Sequence, residues 1–149
     1  MAGGDDGPVV ADDVGVDGGV GDDTVVVGAG NNTVDGGAGA DTVIAGSGND
    51  SLSGGDGNDS IDAGIGDDLV YADAGNDTIE GGNGNDVIDF SAAGTDPLKI
   101  NLATGTASST ALGTTNVGAT GVDLINGFEN VIAGSGNDSI VGSDLANSI

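Results

Sequence analysis

From Gly18 to Asp89 the chain repeats every nine residues, eight times without a break. The frames run GGVGDDTVV, VGAGNNTVD, GGAGADTVI, AGSGNDSLS, GGDGNDSID, AGIGDDLVY, ADAGNDTIE and GGNGNDVID. Each has glycine in fourth place and Val, Ile or Leu in eighth; the sixth is aspartate in seven frames and Asn32 in the other. A unit this short cannot bury its apolar side alone. It must stack on its neighbours, which makes the chain a solenoid.

Within a frame the first six residues favour a turn and the last three a short strand. Glycine in second and fourth place opens backbone conformations closed to residues with a Cβ. Thr, Ser or Val in seventh place and an aliphatic residue in eighth suit an extended pleat. Alternation then turns the eighth side chain one way and its neighbours the other. Val25, Val34, Val43, Leu52, Ile61, Val70, Ile79 and Ile88 fill the eighth place, whereas the ninth mixes Val26, Asp35, Ile44, Ser53, Asp62, Tyr71, Glu80 and Asp89. The expected core is one column of eighth-place residues per strand row. Two turn–strand units close one coil, and stacked coils give two parallel sheets face to face. The predicted fold is all-β, a right-handed parallel β-roll with two nonapeptides per coil.

Four segments follow from the pattern. Residues 1–17 are a Gly/Asp/Val-rich, disordered-looking flank in which Val16 falls at the eighth place of a degenerate first repeat. Residues 18–89 are the regular array. From 90 to 132 the period is lost and Thr, Ser, Ala and Leu increase, with Leu98, Ile100 and Leu102 alternating as a strand should. Phe90 and Phe128 flank this interruption and are expected to pack there or cap the exposed end of the roll. The period resumes over 133–149, and its last frame stops one residue short, which predicts a longer natural array.

The chain carries 25 acidic residues against one basic residue, Lys99, for a net charge of -24. That excludes electrostatic binding to nucleic acid and adsorption on anionic membranes. No apolar run is long enough for a membrane span, and the opening MAGGDDGPVV lacks the features of a secretory signal peptide. The partner this charge predicts is a cation. In a coil of two units, frames two apart stack on the same side. One edge then carries Asp23, Asp41, Asp59 and Asp77, the other Asn32, Asp50, Asp68 and Asp86. A cation between successive turns takes a carboxylate from each, together with backbone carbonyls. With no His and no Cys in the chain, all-oxygen coordination selects a hard ion. Calcium suits it better than magnesium because it accepts more ligands in irregular geometry. About six gaps result, and one buried aliphatic per nine residues is too little to hold the roll without them.

Other readings fit poorly. No helix pattern flanks the acids, which rejects EF-hands, and the Gly-x-Gly pairs do not complete a dinucleotide fingerprint. Without His, Cys or Arg the usual nucleophile–base pairs are missing, so no enzymatic activity is expected.

These frames resemble the nonapeptide GGxGxDxUx, with U aliphatic, of the RTX (repeats-in-toxin) family. The resemblance covers 18–89 and 133–149. It implies a calcium-loaded β-roll, the hemolysin-type calcium-binding repeat, in a larger protein secreted by a type I system of Gram-negative bacteria. It also implies ligands residue by residue. The sixth-place set is Asp23, Asn32, Asp41, Asp50, Asp59, Asp68, Asp77 and Asp86, with Asp138 in the resumed repeat. Turn carbonyls would come from Gly37, Gly39, Gly46, Gly48, Gly55, Gly57, Gly64, Gly66, Gly82 and Gly84. Asn32 departs from the pattern and predicts a weaker gap; Asp73, where a second glycine is expected, either strains its turn or adds a ligand. The functional expectation is a monomeric, extracellular calcium-responsive folding module serving neighbouring domains. A calcium-stiffened adhesive segment of a surface protein is the alternative.

Overall fold

The computed structural model describes residues 13–109 and 122–149. The expectations for residues 1–12, and for 110–121 within the interruption, lie outside the described residues. In chain order the repeats form β1 (Gly15–Val20), β2 (Thr24–Val26), β3 (Thr33–Ala38), β4 (Thr42–Ile44), β5 (Ser51–Asp56), β6 (Ser60–Asp62), β7 (Leu69–Tyr71), β8 (Thr78–Glu80) and β9 (Val87–Asp89). Each frame thus contributes a strand at its seventh to ninth places. Frames alternate between two parallel stacks, β1-β3-β5-β7-β9 and β2-β4-β6-β8. In register, Val16 lies beside Val34, Leu52, Val70 and Ile88 in one stack, and Val25 beside Val43, Ile61 and Ile79 in the other. The architecture is a β-roll with two nonapeptides per coil.

The eighth-place residues of the array are buried, as their alternation requires. The core is nevertheless wider than one column per row. Val27, Ala45, Ala63 and Ala72, all in first place, are buried beside them. The reason is that the pleat continues for one more residue: eighth in, ninth out, first in.

The interruption inserts an antiparallel meander into one sheet of the roll and then rejoins both stacks. One turn of 3-10 helix (Ser91–Ala93) leads to β10 (Leu98–Asn101), β11 (Thr106–Ser109) and β12 (Val122–Asn126), followed by β13 (Asn130–Ile132) and β14 (Ser139–Val141). β10, β11 and β12 form an antiparallel meander. β12 then returns parallel to β8, with Ile125 beside Ile79. β13 continues the other stack beside β9, with Val131 beside Ile88. β14 lies parallel to β10 rather than on β12.

Two expectations need correction here. The period is not lost as far as Ile132, because Asp123-Leu124-Ile125-Asn126 and Glu129-Asn130-Val131-Ile132 keep the acid-x-aliphatic-x half of the frame. Between them only Gly127 and Phe128 remain of the turn, and the missing glycines hid the frame. Of the two roles expected for the phenylalanines, packing is the one found and capping is not. Phe90 and Phe128 are 0% and 4% exposed within one continuous core, since β12, β13 and β14 extend the sheets beyond them.

Leu52 is 0% exposed and Ile44 is 40% exposed. Leu52→Ala should therefore lower stability by about 2–5 kcal/mol, and Ile44→Ala by no more than about 0.5 kcal/mol. Denaturant unfolding in saturating calcium measures both.

Candidate metal centre

The sixth-place residue ends the turn and precedes the strand, so its side chain enters the space between stacked turns. Asp23, Asn32, Asp41, Asp50, Asp59, Asp68, Asp77 and Asp86 are all buried, none more than 3% exposed. From Asp41 onward each carboxylate reaches back one coil, 18 residues. Oδ1 of Asp41, Asp59 and Asp77 accepts the backbone N–H of Asp23, Asp41 and Asp59 at 2.7, 2.8 and 2.9 Å. On the other edge Oδ1 of Asp50, Asp68 and Asp86 accepts from Asn32, Asp50 and Asp68 at 2.7, 2.8 and 2.9 Å. The two edges expected from frame parity are thus the two edges observed.

The second oxygens behave differently. Oδ2 of Asp41, Asp50, Asp59, Asp68, Asp77 and Asp86 is buried and has no hydrogen-bond partner. A buried, unpaired carboxylate oxygen is costly, and stacked carboxylates repel one another. The only basic residue, Lys99, is exposed on β10. The glycines keep the space open: a Cβ on Gly36 would come within 2.7 Å of Asp41 Oδ2. The ten turn glycines named above all have φ between +97° and +159°.

Asn32 shows what the gap lacks. Its Nδ2 donates to the Gly30 carbonyl at 3.1 Å, while its Oδ1 accepts the Val14 N–H at 3.1 Å. The amide supplies the positive end that an aspartate cannot. In the aspartate frames, among the described residues, the fourth-place carbonyls of Gly39, Gly48, Gly57 and Gly66 receive no hydrogen bond. By contrast, the Gly46 and Gly64 carbonyls accept the N–H groups of Ile65 and Asn83 at 3.0 and 2.8 Å. Orphaned carboxylate oxygens, open carbonyls and no nitrogen or sulfur donor form a set suited to calcium.

Burial raises these carboxyls. Desolvation, opposed by the Asp41 N–H and reinforced by Asp77, Asp73 and Asp41, pushes Asp59 up to about 7. Desolvation similarly takes Asp68, Asp77 and Asp123 to about 6. Asp41, Asp50 and Asp86 are raised for the same leading reason.

Several residues outside the expected set join the ladders. Asp123 Oδ1 accepts the Asp77 N–H at 3.2 Å, and Glu129 Oε2 accepts the Asp86 N–H at 2.9 Å. Both extend an acidic edge, and the acid-x-aliphatic-x signature was the signal for them. The fifth place builds a second ladder running the opposite way. There Oδ1 of Asp13, Asp22, Asn31, Asn49, Asn58 and Asp67 accepts the N–H 18 residues further on. Asp138, by contrast, is set against the interruption. Its Oδ1 accepts the Leu98 N–H at 3.0 Å, so the neighbouring rung offers leucine where the other edges offer an acid.

A family model described as RTX calcium-binding nonapeptide repeat, four copies, matches residues 17–52, 53–88 and 125–144. The chain belongs to this RTX repeat family. The third RTX match begins at Ile125, within β12, where the acidic edge resumes. No curated protein and no solved structure gives a match. As an RTX repeat chain it is a calcium-binding module.

The pH response of the RTX roll follows from the raised carboxyls. The folded metal-free chain binds more protons than the unfolded chain, so its stability falls as pH rises from about 4 to about 7. In chelator, lowering the pH through this range should increase the β signal in circular dichroism. With calcium present the same acidification should raise the calcium midpoint, because protons and calcium compete for the same oxygens.

Proposed function

We propose that calcium decides whether this module folds. The buried Oδ2 atoms of Asp41, Asp50, Asp59, Asp68, Asp77 and Asp86, left without partners, carry this reading. Without cations the roll must bury repelling carboxylates over a thin core, and the chain stays unfolded. Calcium between successive turns neutralises each edge, its ligands drawn from the sixth-place aspartates and the turn glycine carbonyls, about six ions in all. If free calcium is about ten times the dissociation constant, each site adds about 1.4 kcal/mol. Several such sites together reach the stability of an ordinary domain.

Membership of the RTX family supports a place for this switch. The module would leave a Gram-negative cell by type I secretion as a low-calcium, flexible chain. Outside, calcium would fold it as a monomeric unit that stabilises neighbouring domains of a larger protein. No helix among the described residues is long and apolar enough to cross a membrane.

Circular dichroism during calcium titration tests the switch. A cooperative coil-to-β transition is expected; full β signal in chelator at neutral pH would sink the reading. Asp59→Ala and Asp68→Ala should each cost about 1–3 kcal/mol in calcium. The exposed Asp35→Ala should leave the midpoint nearly unchanged.

A further inference from the structure

We propose that the gap between Asp59 and Asp77 is the tightest calcium site of the array, made so by Asp73, and that loading of the roll starts there. The inference rests on the reading above that such gaps hold calcium.

Asp73 occupies the second place of the seventh frame, where every other frame of the array has glycine. Asp73 does not adopt the positive φ of Gly37, Gly55, Gly64 and Gly82, so its turn takes another course without left-handed strain. β7 stops at Tyr71, whereas β3 and β5 run on through the corresponding second place. In exchange, the Asp73 side chain crosses to the neighbouring coil. Its Oδ2 accepts the Gly55 N–H at 2.7 Å and the Ser53 hydroxyl at 2.8 Å. Two hydrogen bonds therefore hold this carboxylate in place before any ion arrives.

That position brings three acids together. One carboxylate oxygen each from Asp59, Asp73 and Asp77 lies within 4.8 Å of the other two. Asp59 and Asp77 are 3% and 2% exposed, and their Oδ2 atoms have no partner. This is the one such cluster of three acids among the described residues. Calcium affinity rises with ligand charge and with the rigidity of the site. A third carboxylate, already fixed, supplies both. It also increases the repulsion that the ion relieves.

The site joins the fifth and seventh frames, with earlier coils of the array on one side and β12 and β13 stacked beyond it on the other. A solenoid can nucleate at any rung and propagate by nearest-neighbour contacts. The rung that gains most from the first ion is the one that starts. A position that the sequence left open between strain and an added ligand is then the nucleus of the array.

The chain's one tyrosine supplies a local probe. Tyr71 is two residues from Asp73, their Cα atoms at most about 7 Å apart, and the chain has no tryptophan. Terbium, an oxygen-seeking stand-in for calcium, emits when an excited tyrosine lies close by. In the parent chain, tyrosine-sensitised emission should rise at ion concentrations about tenfold below the midpoint of the β transition. Asp73→Gly, which restores the residue of the other frames, should abolish this early step and raise the calcium midpoint severalfold. Asp73→Asn, which keeps the shape and removes the charge, should move both readouts in the same direction.

Parent-like emission and midpoint in both variants would overturn the inference, and so would tighter binding in Asp73→Gly. A parent chain with no calcium-dependent β signal would instead sink the underlying calcium reading. A normal parent transition unaltered by the variants would sink only the role of Asp73.

Discussion

Between stacked turns of this roll, aspartates are buried with one oxygen paired and the other not. The paired oxygen accepts a backbone N–H from the previous coil and sets the vertical register of the turns. The unpaired oxygen leaves a charge in a space closed to water. Hydrogen bonding therefore favours stacking while electrostatics opposes it. On the proposed reading a cation would reverse the second term without disturbing the first, so that metal binding and coil stacking would become one event.

The rest of the fold serves that arrangement. The strands are mostly three residues long and provide little apolar area, so they align the turns more than they stabilise them. Glycine in the turns lets successive backbones approach until a Cβ on Gly57 would run into the Gly39 carbonyl. The fifth-place ladder ties the outer rim of one turn to the next in the opposite sense from the sixth-place ladder. Ala40 is the place where that rim lacks a side-chain acceptor, and no N–H from Asn58 is bound there. Each turn is thus held at its rim by amide-like contacts and strained at its centre by charge.

Much of this was legible in the nine-residue period. Frame parity assigned Asp59 and Asp68 to opposite edges, and the eighth place named the buried residues, because both depend only on spacing. The first-place core of Val27, Ala45, Ala63 and Ala72 was missed because the turn was taken to begin where the pleat still continues. Asp123 and Glu129 were missed because the interruption shortens the turn and keeps the strand. A search for glycines fails there, while a search for acid-x-aliphatic-x succeeds. The meander of β10, β11 and β12 has no periodic signature, since its pairing is antiparallel and depends on contacts distant in sequence.

Asp73 could be read from sequence only as an alternative between strain and an added ligand. Glycine is needed in second place when the backbone must take a positive φ, yet a carboxylate there can reach the preceding coil. Which outcome holds depends on whether the neighbouring turn offers donors. Gly55 N–H and the Ser53 hydroxyl are those donors, and they lie 18 and 20 residues away. Repeat proteins make such substitutions informative, because the same change in another frame would meet different partners. In the fourth frame the second-place residue, Gly46, stacks on Gly28, and the residue two before Gly28 is Val26, with no hydroxyl to offer. An acid at Gly46 would lack the hydroxyl donor that Ser53 gives Asp73. The local identity of the ninth place therefore decides whether an acid at this departure from the repeat is held by the neighbouring coil or left as a fault.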